Sequence, residues 1–245
     1  MDLTNNRITA LTNIPQPKLV TAILNQNRIE TCESFTGHAN LRSLHLSSNK
    51  LVDCKGLCNM SKLSELTLTN NKITDITGLK DLPTLKKLDL NTNKIADCGS
   101  LPDLPALEHL DLSNNAIASA DCLKHFAKFP CLQTLIMTGC PFAEEMADRL
   151  KNEVLVILGT TLEIKMVNEE EVTEDDIVAA KEDREARALA KKEAEEEAAR
   201  AETERKEAEK SAAAEAAAAE ALVVEAAAAE AKEAAEAARA AASTP

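Results

Sequence analysis

Residues 63–73 read Leu-Ser-Glu-Leu-Thr-Leu-Thr-Asn-Asn-Lys-Ile, so that Leu63, Leu66, Leu68, Asn71 and Ile73 spell L-x-x-L-x-L-x-x-N-x-I. The alternation of Leu66 and Leu68 with polar Glu65 and Thr67 predicts a short strand with one face in a core. The same pattern recurs on both sides of this stretch. Its polar landmark is Asn6, Asn27, Asn49, Asn71, Asn93, Asn115 and then Cys140, at intervals of 21, 22, 22, 22, 22 and 25 residues. A fixed period of this length signals stacked coils rather than one globular core. A coil such as Leu63, Leu66, Leu68, Ile73, Ile76, Leu79, Leu82 turns too few apolar side chains inward to be stable alone, and stacking makes the core continuous.

The landmark Asn stands where the chain leaves each strand. Its amide both donates and accepts, and so suits a ladder that satisfies backbone groups which would otherwise be buried unpaired. Asn6, Asn27, Asn49, Asn71, Asn93, Asn115 and Cys140 are therefore the expected structural ladder. Cys32, Cys54 and Cys98 each fall five residues after a ladder Asn, where Ile76 and Ala120 stand in other repeats, and so read as small core residues. Cys54 and Cys58 form a Cys-x-x-x-Cys spacing without a second pair, so no metal is expected there.

Beyond the repeats the material changes. All six glycines, and every proline except Pro245, precede residue 160. Through residue 165 there are 17 basic and 18 acidic residues; after it there are 11 and 23, so the net charges are 17 − 18 = −1 and 11 − 23 = −12. An acidic tail on a near-neutral body lacks the clustered cations that phosphate backbones require, and with no Trp and no Tyr there is no stacking platform, so no nucleic acid is expected. No apolar run reaches the ~18 residues of a membrane span and no leader pattern opens the chain, which predicts a cytoplasmic protein without a membrane partner.

The 22-residue consensus with its short outer turn resembles the SDS22-like class of leucine-rich repeats over residues 1–141. That resemblance implies an α/β solenoid with a parallel β-sheet on the concave face and a role in binding other proteins. Residues 142–172 look like the C-terminal cap of such solenoids, a helical stretch through Met146, Leu150, Val154, Leu155 and Leu158 followed by an extended piece through Leu162, Ile164 and Met166. The order of cap, Glu169-Glu170-Glu171-Val172-Thr173-Glu174-Asp175-Asp176 and charged helix is most similar to the radial-spoke leucine-rich repeat proteins of cilia. It implies a structural subunit of the cilium or flagellum axoneme whose partners are other proteins of a large assembly. The class also includes regulators of protein phosphatase 1 and acidic nuclear proteins, so a regulatory adaptor is the second reading.

Residues 173–245 are expected to form a long charged Ala/Glu-rich helix. Thr173 followed by three acids reads as an N-cap facing the helix dipole, and about 70 residues at about 1.5 Å each make a rod of about 105 Å. Asp183 with Arg187, Glu196 with Arg200 and Glu202 with Lys206 stand four apart in the favoured acid-first order. Ile177, Val178, Leu189, Leu222, Val223 and Val224 do not sustain a heptad, so a self-sufficient coiled coil is not expected.

Between the inward leucines, the strands present outward columns. One runs Asp2, Ile23, His45, Thr67, Asp89, Asp111, Ile136, and its neighbour Ser43, Glu65, Lys87, His109, Thr134. The partner-binding residues expected on the concave face are His45, Glu65, Thr67, Lys87, Asp89, His109 and Asp111. His109 and Asp111 share a face, as an acid/base pair would. There is, however, no nucleophile motif, no Gly-rich phosphate loop, no metal-ligand set and no water-excluding cleft, so neither an enzyme nor a cofactor is expected. Met1 and Leu3 take the places that Leu66 and Leu68 hold in a later repeat, with no capping helix before them, and the N-terminal edge is therefore expected to be covered by a partner.

Overall fold

A computed structural model of the chain describes residues 1–159 and 161–241, with side chains through residue 210. In each coil the L-x-L core of the repeat forms a three-residue strand: β1 Thr21–Ile23, β2 Ser43–His45, β3 Glu65–Thr67, β4 Lys87–Asp89, β5 His109–Asp111 and β6 Thr134–Ile136. They pair in parallel in chain order and in repeat register, so Leu44, Leu66, Leu88 and Leu110 stand side by side. These leucines are fully buried. So are the second leucines, Leu46, Leu68, Leu90 and Leu112, and the post-ladder residues Leu51, Ile73, Ile95 and Ile117, in one continuous core.

Each strand is left through a left-handed residue. Asn5, Gln26, Ser48, Asn70, Thr92 and Asn114, each just before a ladder Asn, have φ between +54° and +58°. In the last coil this place is taken by Gly139 at φ +72°, before Cys140. Left-handed backbone is uncommon for residues with a Cβ, and its return at every coil shows that stacking and the ladder bonds override the local cost.

The 25-residue interval holds a feature the period alone did not announce. The outer turn of that coil winds into a helix, α1, Asp121–Phe126, which buries Cys122, Leu123 and Phe126. The Phe126 ring stacks on Phe129 at 6.3 Å between centroids. The cap follows as α2 Pro141–Met146, a 3-10 turn Ala147–Arg149, and α3 Leu150–Leu158. The helical stretch is thus interrupted at Ala147, whose φ is +43°. The extended piece joins the sheet as β7 Met166–Val167, and the chain returns as β8 Glu170–Glu171, antiparallel to it. The turn between them carries Asn168 and Glu169 at φ +48° and +69°. Asn168 Oδ1 accepts the Met137 N–H at 2.7 Å, taking the role that a carbonyl of the next strand plays elsewhere in the sheet.

Helix α4 runs Glu174–Ala241. At its start Thr173 Oγ1 accepts the Asp176 N–H at 3.3 Å while Asp176 Oδ2 accepts the Thr173 N–H at 2.8 Å, a reciprocal cap. Lys151 pairs with Asp176 at 3.0 Å. The two Thr173 bonds and this lysine hold the Asp176 carboxyl down to about 2. Arg184 donates from Nε to Val156 O at 2.9 Å and from Nη2 to Leu155 O at 2.7 Å, placing a cation on the C-terminal carbonyls of α3.

The chain divides into two compact units, Met1–Arg184 and Glu185–Pro245. From residue 185 to 210 every side chain of α4 is exposed. There Glu202 meets Lys206 at 2.7 Å and Glu209 meets Arg205 at 3.3 Å. Residues 242–245, and the side chains of Leu222, Val223 and Val224, lie outside the described residues. Among the described residues no helix is long and apolar enough to cross a membrane.

Candidate functional site

The parallel register decides which outward side chains become neighbours. Thr21, Ser43, Glu65, Lys87, His109 and Thr134 form one column, and Ile23, His45, Thr67, Asp89, Asp111 and Ile136 the other. Strand spacing sets neighbours in a column about 4.8 Å apart. Lys87 pairs with Glu65 at 3.4 Å. His45 Nδ1 is 3.1 Å from Thr67 Oγ1, which also accepts from Ser47 Oγ at 3.3 Å.

Asp89 and Asp111 are direct register partners. Each is anchored within its own strand end: Asp89 Oδ1 accepts the Asn91 N–H at 3.0 Å, and Asp111 Oδ1 accepts the Ser113 N–H at 2.8 Å together with the Ser113 hydroxyl. Two like charges on adjacent strands are thus fixed side by side. The outer turns use the same device, with Asp53, Asp75 and Asp97 accepting the N–H two residues on, from Lys55, Thr77 and Gly99. The Asp four residues after a ladder Asn is the signal for it, which the repeat reading passed over.

His109 is half-buried beside this pair. Burial, and then Lys87, push its pKa below the usual histidine value of 6.5, against the opposing pull of Asp111 and Asp89. The folded state therefore favours the neutral ring, and this contribution to stability is lost as pH falls from 6.5 through the lower folded value. We expect the His109 ring resonances to titrate below 6.5, Lys87→Met to move the midpoint up and Asp111→Asn to move it further down. A midpoint at or above 6.5 in the folded protein contradicts this electrostatic account.

The ladder residues lie beneath the columns. Asn71 Nδ2 donates to Leu46 O at 3.0 Å and Leu68 O at 2.9 Å, and its Oδ1 accepts the Leu51 N–H at 3.1 Å. Asn27, Asn49, Asn93 and Asn115 repeat this arrangement. Asn6, in the first coil, is exposed and bonds only within its own turn, to Leu3 O and Thr4 O. Cys140 donates from Sγ to Leu112 O at 3.2 Å.

Cys32, Cys54 and Cys98 are buried. Burial pushes the Cys32 thiol up to about 12 and raises Cys54 further, which leaves both protonated. Cys131 is exposed and Cys58 partly so. Among the described residues no group of three or more His, Cys, Asp and Glu is gathered to hold a metal ion.

Sequence comparison reads the same coils. The family described as "Leucine Rich repeats (2 copies)" matches residues 61–104, and "Leucine Rich repeat" matches 37–57 and 104–123. Over these coils the fold is a leucine-rich repeat solenoid. No curated protein matches it significantly. Among solved structures the leucine-rich repeat chain is similar to an internalin from Listeria monocytogenes, at 23% identity over 63% of this chain and 48% of that one, with a TM-score of 0.45. It is also similar to the Drosophila melanogaster SNF/U2A′ complex, at 17% identity over 74% of this chain and 78% of that one, with a TM-score of 0.39. A leucine-rich repeat protein of Leptospira interrogans matches at 18% identity over 68% of this chain and 59% of that one, with a TM-score of 0.30. The chain spans about half the length of the internalin.

Proposed function

We propose that this leucine-rich repeat solenoid is a non-catalytic scaffold that holds another protein against its concave sheet. The observation that carries the reading is the Asp89–Asp111 register pair, set beside Glu65, Lys87 and His109. Like charges on adjacent strands cost stability unless a cation comes to them. The Asn91 and Ser113 N–H groups engage Oδ1 of each carboxylate, and on our reading Oδ2 is the oxygen offered to a partner's Lys or Arg. His45 and Thr67 extend the surface toward the N-terminal coils.

The finer reading is a structural subunit of the ciliary axoneme, in a radial spoke. Its support is the succession of repeats, cap, acidic segment 169–176 and long charged helix, together with a tail that carries 11 basic residues instead of a nearly pure run of acids. The second reading is an adaptor of a protein phosphatase 1-like enzyme or of acidic nuclear type, which needs the same concave face without the assembly. A photo-crosslinking residue at Thr67, with Lys55 on an outer turn as control, tests both. The axonemal reading predicts adducts with detergent-resistant ciliary proteins from Thr67 alone. Adducts from Lys55 alone contradict the concave face, and adducts confined to nuclear or diffuse cytosolic proteins favour the adaptor.

A further inference from the structure

A row of cations runs down one side of the coils. Arg7, Arg28, Lys50, Lys72 and Lys94 each follow a ladder Asn directly and precede a core residue, Ile8, Ile29, Leu51, Ile73 or Ile95. Alternation with that inward residue turns the cation out, and all five are exposed. Backbone bonds lock the row in register, the N–H groups of Arg28, Lys50, Lys72 and Lys94 donating to Ile8, Ile29, Leu51 and Ile73 O at 2.9, 2.9, 2.8 and 2.9 Å. Five like charges therefore stand about 4.8 Å apart in one line. Lys50 meets Glu30 at 3.5 Å, and among the described residues the other four have no ion-pair partner. The adjoining columns do not neutralise them. Asn5, Gln26, Ser48, Asn70 and Thr92 carry no charge, and Asp53, Asp75 and Asp97, three residues further on, accept N–H groups of their own turns. Like charges in such a line cost stability unless anions come to it.

Helix α4 carries acids at the matching interval. Glu193, Glu196, Arg200, Glu204 and Glu207 follow one another at steps of three and four and so share one face, to which Glu197 adds a further acid. At about 1.5 Å per residue the four ridge acids stand about 6 and 10.5 Å from Arg200 in either direction. The cations stand about 4.8 and 9.6 Å from Lys50 in either direction, so each acid falls within about 1.5 Å of a cation. The centre matches as well, because Arg200, the cation of this face, then falls beside Glu30. Three other cations of the helix are engaged within it, Lys191 with Glu195, Arg205 with Glu209 and Lys206 with Glu202. Glu193, Glu196, Glu204 and Glu207 have no ion-pair partner among the described residues. Ala194, Ala201 and Ala208 border the face, and their small side chains let the helix approach Val52, 52% exposed in the column beside Lys50. An extended acidic segment fits worse, since its same-face residues are about 6.7 Å apart and slip out of step with the coils.

We propose that α4 of a second copy of this chain lies along the row of cations, its segment 193–207 covering Arg7 to Lys94. The inference stands apart from the concave face and does not depend on it. Sedimentation equilibrium of the full chain at low ionic strength tests it. The expected result is concentration-dependent self-association that weakens at least about tenfold in about 0.5 M salt, where exposed charges are screened. Lys72→Glu/Lys94→Glu should weaken association at least about tenfold, with helix content unchanged. Added to that variant, either Glu193→Lys/Glu196→Lys or Glu204→Lys/Glu207→Lys should restore association, and the pair that does so gives the direction of the helix. Lys18→Glu/Lys62→Glu, on the side where the chain enters the strands, should leave association unchanged. A monomer at every concentration, an equal loss from the Lys18 and Lys62 variant, or failure of both exchanges overturns the proposal. So does a photo-crosslinker at Lys72 that joins the chain in cells to other proteins or to nucleic acid and never to a second copy.

Discussion

Asn93→Ala lowers the melting temperature of the solenoid by far more than any single substitution on its concave columns. Asn93 Nδ2 donates to Leu68 O at 3.0 Å and to Leu90 O at 2.9 Å, and Oδ1 accepts the Ile73 N–H at 3.0 Å. All three bonds are buried, so alanine leaves those backbone groups short of a partner that water cannot replace. The Leu68 and Leu90 carbonyls keep a second donor in Asn71 and Asn115, so at about 1–3 kcal/mol for the orphaned Ile73 N–H and about 0.5–1 kcal/mol for each weakened carbonyl the loss is about 3 kcal/mol. For a chain of this size that is a fall of about 6–12 °C. Thr67→Ala removes bonds to His45 and Ser47 on a half-exposed face where water substitutes, and should cost less than about 1 kcal/mol. Thermal melts of the two variants compare them directly, and equal melting points contradict the ladder's structural role.

A comparable loss is expected from Gly56→Ala, for a steric reason. Gly56 has φ +85°, and a Cβ there would stand 1.9 Å from Cys32 O and 2.6 Å from Cys32 C, both backbone atoms of the preceding coil. No rotamer relieves a clash with backbone, so one coil must move away from the next and open the core between them. The expected cost is above about 3 kcal/mol. Gly99→Ala is the control, because its Cβ meets only the Asp97 and His125 side chains, the nearest at 3.2 Å, and its backbone is not left-handed. Chemical denaturation should place the Gly56→Ala midpoint well below that of Gly99→Ala. Coincident midpoints would mean that the outer turns do not pack as closely as this.

The repeats were legible because stacking obliges each position. Leu66, Leu68 and Asn71 have one task apiece, and the task recurs every 22 residues, so the strand, the inward face and the ladder all announce themselves. The left-handed residue before each ladder Asn did not. Asn5, Gln26, Ser48, Asn70, Thr92, Asn114 and Gly139 share a backbone conformation without sharing a side chain, since the ladder and the next coil impose it. Helix α1 was hidden for another reason: three added residues give the length of the outer turn but not its winding, and Phe126 and Phe129 find each other only once the coil is closed.

The cap was the hardest segment to read. Glu170 and Glu171 look like the acidic lead-in to a helix, yet they pair as β8 with Met166–Val167. Asn168 supports Met137 from outside the period, and Arg184 reaches α3 across 28 residues. Such bonds depend on tertiary placement and leave no periodic trace. The outward columns, by contrast, follow from strand alternation alone. The anchoring of Asp89 and Asp111 by the N–H two residues on does not, because it needs the turn geometry at each strand end.

The central claim is that the concave face, through Asp89 and Asp111, holds the partner. Its most direct test is the affinity of the Asp89→Lys/Asp111→Lys double variant for the protein captured through Thr67. The variant replaces two adjacent half-buried carboxylates by two cations and loses their bonds to the Asn91 and Ser113 N–H groups, so the solenoid should stay folded but melt about 4–8 °C below the native chain for a loss of about 2 kcal/mol, while affinity for a cation-bearing partner falls at least tenfold. A variant that folds and binds as tightly as the native chain would contradict the account.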